Sequence, residues 1–354
     1  MAKFSDVLTI VNGKNQAKVE NPNGKYPIYG SGGVMGFADD YLCGAETVII
    51  GRKGSINKPI FVEEPFWNVD TAFGLVADRE RLIPKFLFYF CVHFDFEKLN
   101  TTVTIPSLTK SNLLDIEMDL PELSEQKRVV DNLSKVDELI ALRKQQLTKL
   151  DELVKARFVE LFMGKGYPTK TVDEVSLGKG EYGAQSASIE YDPTRPRYVR
   201  ITDINDDGTL NDDVVASINP ADDEQYKLEY GDFMFARMGA TVGKTYAFIE
   251  GNQIFAGYLI RYRLNQELIN PRYLFWYTRL DEYWNWVKLN QSGAAQPGIN
   301  AKKYGSLQIP IPPVEEQNAF AAFVKQTDKS KLAIQKSLDE LETLKKALMQ
   351  KYFG

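Results

Sequence analysis

The chain has 354 residues, 44% hydrophobic and 26% charged, which allows two modest cores plus connecting structure and is ordinary for a folded, soluble protein. No apolar run reaches the ~18 residues of a membrane span, the opening Met1-Ala2-Lys3-Phe4-Ser5-Asp6 is not a secretory leader, and Cys43 and Cys91 are too few for a disulfide framework or a structural zinc site, so a cytoplasmic protein is expected. The net charge of −5 argues against a uniformly basic nucleic-acid binder, but much of the acid lies in Asp203–Asp213 (DINDDGTLNDD) and Ala221–Gln225 (ADDEQ), in loops that can face away from a phosphate backbone.

In chain order, residues 1–120 read as a first mixed domain. The β-prone run Thr47-Val48-Ile49-Ile50 ends at the glycine turn Gly51-Arg52-Lys53-Gly54, and an aromatic helical stretch, Pro84 to Phe90, follows. Residues 121–165 form a first long helix. No proline or glycine occurs from Ser124 to Phe162, which permits a rod of ~60 Å at 1.5 Å per residue. Its apolar positions recur by sevens on two lines, Leu133, Ile140, Leu147, Val154 and Leu161 beside Val129, Val136 and Leu150, with Arg143 and Arg157 interrupting the second. Ser124 is the expected cap, and Gly164 and Gly166 stop the helix.

Residues 166–311 read as a second mixed domain, with β-prone runs at Asp232-Phe233-Met234-Phe235 and Tyr258 to Tyr262 and the small, uncharged loop Gln291 to Gly298. Residues 312–354 supply a second long helix, with Ile334, Leu341 and Leu348 on one line, Val324, Leu338 and Tyr352 on the other, and Lys331 and Lys345 as breaks. Neither helix can bury its stripe alone, so an antiparallel pairing of the two is expected.

The chain is thus written twice. Leu147, Leu150, Leu153, Lys155, Ala156 and Phe162 match Leu338, Leu341, Leu344, Lys346, Ala347 and Phe353 at one separation of 191 positions, and Pro121, Glu125 and Gln126 match Pro312, Glu316 and Gln317 at the same separation. Upstream, Pro84 to Phe90 resembles Pro271 to Tyr277, and Gly51-Arg52-Lys53-Gly54 resembles Ala236-Arg237-Met238-Gly239. Val7 answers Val175 at a separation of 168, so the second unit carries roughly 23 extra residues, most of them before Arg237. The fold class expected is α+β: two mixed domains separated by two long helices in an antiparallel coiled coil, with a pseudo-two-fold repeat.

Catalytic signals are weak. His93 lies in an aromatic stretch and reads as packed. No His, Cys and carboxylate cluster has metal-ligand spacing. Gly239 to Thr245 imitates a phosphate-binding loop with one residue too few between its glycines. Gly178-Lys179-Gly180 is a lone GxG, and no Asn-Pro-Pro-aromatic signature is present, so no catalytic residue is assigned.

The post-domain segments LPELSEQ and IPPVEEQ with their long helices, the strand-turns ETVIIGRKGSINK and YGDFMFARMGATVGK, and the tail ELETLKKALMQKYF together resemble the specificity subunits of type I restriction-modification systems. The resemblance spans the whole chain. It implies two target-recognition domains, each reading one half of a split target in double-stranded DNA, with the helix pair as the ruler between halves. It also implies two modification (methyltransferase) subunits that bind S-adenosylmethionine and methylate adenine, and restriction subunits that use ATP and Mg, with no cofactor in this chain.

DNA contacts are expected from the basic residues at the glycine turns, Arg52, Lys53 and Lys58 in the first half and Arg237 and Lys244 in the second. The matched loops before the long helices add Thr102, Thr104 and Lys110, then Gln296, Asn300, Lys302 and Lys303. The competing reading is a coiled-coil scaffold that organises other proteins without binding DNA, which the acidic balance favours and the basic turns oppose. A third is the detached recognition half of a fused methyltransferase-nuclease.

Overall fold

The computed structural model describes residues 1–100, 107–218, 224–293 and 297–354. The chain divides into two compact units, Met1–Gln145 with Gln335–Gly354, and Gln146–Ile334. Both boundaries fall inside long helices, Leu123–Phe162 and Val314–Phe353. These are the two helices expected, and Gly164 and Gly166 beyond the first adopt positive φ (67° and 72°), the left-handed turn that ends a helix at glycine.

In the first unit, a four-stranded antiparallel sheet runs in the order Leu8–Asn12, Ala72–Ala77, Thr47–Gly51, Ile60–Val62. Thr47–Gly51 is buried along its whole length, which accounts for an apolar run without alternation. The aromatic helix Pro84–His93 buries Phe86, Leu87, Tyr89, Phe90 and Cys91 in the same core as Val48, Ile50, Phe73 and Leu75. A second sheet orders Gly33–Ala38, Tyr26–Gly30 and Trp67–Asn68. The unit is closed by Ala2–Lys3 pairing antiparallel with Glu117–Met118.

The second unit repeats this plan. Its four-stranded sheet runs Glu181–Tyr182, Leu259–Arg263, Asp232–Ala236, Thr245–Ala247, strand for strand the same order. Thr169–Thr171 pairs with Gln308–Pro310 as its closing ladder. Arg197–Val199 runs parallel to Gln253–Phe255, as Tyr26–Gly30 does to Trp67–Asn68 in the first unit, and Ser188–Glu190 pairs antiparallel with Ala216–Ile218.

Within each unit the two long helices run antiparallel in one register. In the first, Asp137 meets Lys345 at 2.6 Å, Arg143 Nε donates to Ser337 at 3.3 Å and Asn132 donates to Tyr352 at 3.1 Å. In the second, Lys331 pairs with Asp151. The polar breaks in the stripes are therefore cross-helix partners that fix register. Two expectations are corrected: Ser124 is not the cap but lies inside the first long helix, which begins at Leu123. Arg157 does not interrupt the seam; it is exposed and bonded to Glu160 at 2.7 Å, and fully buried Phe158 takes the inward position. The step from Val154 to Phe158 is four residues where a strict heptad takes three, following the 3.6-residue period of a helix packed on a globular core.

Each helix also enters a core directly. Val129, Leu133 and Met349 join the first, and Val154, Phe158, Phe162, Phe320 and Val324 join the second. Phe158 stacks on Tyr273 at 5.0–5.3 Å from neighbouring Phe162 and Phe320, an aromatic cluster that anchors both helices to that unit's core. Each such side chain contributes roughly 1.5–3 kcal/mol by burial. Among the described residues no helix is long and apolar enough to cross a membrane.

Candidate nucleic-acid interface

Each four-stranded sheet delivers an arginine from the end of a fully buried strand. Arg52 follows Thr47–Gly51 and Arg237 follows Asp232–Ala236. Their main chains are pinned alike. Arg52 donates its N–H to the Thr71 carbonyl (2.7 Å) and accepts from Leu108 N (2.9 Å); Arg237 donates to the Tyr258 carbonyl (3.0 Å) and accepts from Ile299 N (2.9 Å). Two residues on, Gly54 and Gly239 both take positive φ, 78° and 71°, a conformation that disfavours other residues. After Leu108 and Ile299 come the helix caps Thr109 and Asn300, whose side chains accept from Asn112 N (3.2 Å) and Lys303 N (2.9 Å).

The guanidinium groups lie against aromatic rings. Arg52 sits 5.7 Å from the centre of Phe73 and is exposed; Arg237 sits 4.8 Å from Tyr182 and 6.0 Å from Tyr258 and is half-buried. Among the described residues neither guanidinium meets a carboxylate. Arg237 and Lys244 bracket a hairpin between antiparallel strands, so the loop that imitates a phosphate-binding motif is not a strand-to-helix turn. Gly243 there (φ 89°) packs so closely that a Cβ would meet Val287 and Trp284 at 2.8–2.9 Å.

The other expected contacts divide. Lys53 and Lys58 are exposed on the turn after Arg52, and Lys302 and Lys303 are exposed on the short helix after Asn300. Lys110 instead donates to the Ile10 carbonyl at 2.8 Å. Lys244 bonds the Ile204 carbonyl (3.1 Å) and Asp206 (2.7 Å), and its ammonium holds the Asp206 carboxyl below the ordinary carboxylate range. Asn300 is occupied as a cap. Thr102, Thr104 and Gln296 lie outside the described residues.

Three of the five aspartates of the acidic loop, residues 203–213, pair with cations of the same unit. Asp203 pairs with Arg200 (2.8 Å), Asp206 with Lys244 (2.7 Å) and Asp212 with Arg197 (2.6 Å). Deeper in that unit, Arg261 links Glu181 and Asp232, and burial raises the Asp232 carboxyl above its ordinary value. These pairings weaken the negative field that the acidic loop itself presents to a polyanion.

Sequence reasoning missed Tyr182 and the role of Tyr258; the first ends a two-residue strand that leaves no periodic signal. It also missed a cleft of about 560 Å³ in the second unit, lined by Tyr246, Phe275, Trp276 and Val324, where burial lowers the Arg279 guanidinium to about 10. His93 packs against Phe353, with ring centres 6.3 Å apart. Among the described residues, no group of three or more His, Cys, Asp or Glu could hold a metal.

The family model described as the type I restriction modification DNA specificity domain matches twice, over residues 1–152 and 171–344. The chain belongs to that family. It is 24% identical over 331 residues to the specificity subunit of the type I restriction enzyme MjaVIII of Methanocaldococcus jannaschii, covering 86% of this chain and 75% of that one. To the EcoBI specificity subunit of Escherichia coli it is 22% identical over 356 residues, covering 89% and 74%. The crystal structure of a type I restriction-modification S subunit from M. genitalium superposes with a TM-score of 0.64 at 16% identity, covering 100% of this chain and 95% of that one. A chain from a structure of type I restriction-modification complex assembly and conformational transition gives 0.58 at 19% identity, covering 99% and 96%. These likenesses establish the specificity-subunit fold, and the two matches coincide with the internal repeat.

Proposed function

We propose that this specificity-family chain is the non-catalytic DNA-recognition subunit of a type I restriction-modification complex. Each recognition domain, residues 1–120 and 166–311, reads one half of a bipartite target, and the long helices set the spacer between halves. The observation that carries this reading is the recognition frame built twice, with Arg52 and Arg237 in the same main-chain setting. Two like DNA-facing elements in one chain suit a split target.

Partner subunits supply the chemistry. Two modification subunits, binding S-adenosylmethionine, dock on like surfaces offered by the two helix-bearing repeats, and restriction subunits using ATP and Mg join them. The test is selection from a pool of random duplexes, with the purified chain alone and with its modification subunit, followed by sequencing of what is retained. A bipartite motif with a fixed spacer supports the reading. Enrichment only with the partner shows that recognition needs the assembled enzyme, and no enrichment in either case favours the scaffold reading.

A further inference from the structure

The two recognition domains differ in sequence and in their added strands, yet their frames present the same arginine from the same pinned main chain, with a left-handed glycine two residues on. A side chain that discriminates bases must differ where the bases differ. One that grips the sugar-phosphate backbone need not, because the backbone is the same in both halves. We propose that Arg52 and Arg237 are a repeat-related pair of backbone clamps, contributing equal and sequence-independent binding to each half-site. Base choice falls to positions where the frames diverge.

Strand register identifies two of those positions. Ile50 faces Phe73, which faces Asn12; in the second unit Phe235 faces Ile260, which faces Tyr182. Asn12 and Tyr182 thus hold one place in the frame, and both are exposed. The residues that accept the arginine N–H, Thr71 and Tyr258, hold another. One frame offers a side-chain amide and a small hydroxyl, the other two phenols flanking the guanidinium at 4.8 and 6.0 Å. An amide pairs with base edges, whereas a phenol stacks or donates once, so these positions impose different selections on otherwise equal grips. Neither guanidinium meets a carboxylate among the described residues, which leaves its charge available to a phosphate.

The inference rests on the DNA-recognition reading, and the test separates the two. The complex with modification subunits is assembled with wild type, Arg52→Ala, Arg237→Ala and Arg237→Lys. Each is used to select from random duplexes and to bind the wild-type target across a salt series. The clamp predicts an unchanged bipartite motif for every variant, a salt slope reduced by about one for each alanine variant, and recovery of that slope by Arg237→Lys. Tyr182→Ala and Asn12→Ala, by contrast, relax base preference in opposite half-sites with the salt slope retained. Loss of preference at one base position in Arg52→Ala or Arg237→Ala makes that arginine a base reader and overturns the clamp. An unchanged slope with lowered thermal stability makes the arginine structural and overturns it equally. Failure of the wild-type complex to enrich any bipartite motif removes the recognition reading and the clamp with it.

Discussion

Gln126 and Gln317 are fully buried and make the same three hydrogen bonds in their respective units. Gln126 accepts from Ile83 N (2.9 Å) and donates to the Arg81 and Pro121 carbonyls (both 2.8 Å); Gln317 accepts from Asn270 N (2.9 Å) and donates to the Leu268 (3.1 Å) and Pro312 (2.9 Å) carbonyls. Each fastens a long helix to the loop that starts an aromatic helix. Alanine at either position removes three hydrogen bonds to partly buried main-chain groups and is expected to cost its unit about 2–3 kcal/mol in urea denaturation. The motif was visible in the sequence as the matched Pro and Glu-Gln, but its meaning was not, because the loops it bonds lie some 45 residues upstream and carry no shared side chain. The thiols give a second prediction. Burial pushes Cys43 up to about 12 and Cys91 higher still, so thiolate is scarce at neutral pH. Both are expected to react with a thiol reagent only as fast as the first unit opens.

Along the helices, stability is concentrated at the ends that enter the cores. Phe158 contacts Phe162, Tyr273 and Phe320, and Phe158→Ala is expected to destabilise the second unit by about 3–5 kcal/mol, read as an early transition in thermal unfolding. Between residues 137 and 153 no side chain of the first helix is fully buried, so Leu147→Ala is expected to cost under half as much. The helices were legible almost to the residue, since 40 positions without proline or glycine leave few alternatives. The departure at Phe158 was hidden because a heptad count presumes a partner helix, whereas there the helix also answers to a globular core. The four-stranded sheets were only partly legible. Buried strands such as Thr47–Gly51 declare themselves by unbroken apolar character, but two-residue strands such as Glu181–Tyr182 exist only through their partners.

For the whole molecule, the expected behaviour is that of a divided reader. Inserting the same few helical residues into both long helices is expected to change the spacer in methylated targets, read by sequencing methylated sites; an unchanged spacer refutes the ruler. At saturation two modification subunits are expected per chain, and a one-to-one complex by mass measurement counts against docking on both repeats. The division of the chain also bears on the order of its making. The second unit, Gln146–Ile334, is one continuous stretch, whereas the first needs Gln335–Gly354, whose Leu348, Met349, Tyr352 and Phe353 pack into its core. As the polypeptide leaves the ribosome, the second unit has all its residues while the first still lacks these and leaves part of its apolar core uncovered. A chain released after Ile334 is expected to yield a protease-resistant second unit beside a protease-sensitive first one. The half translated first is the half finished last.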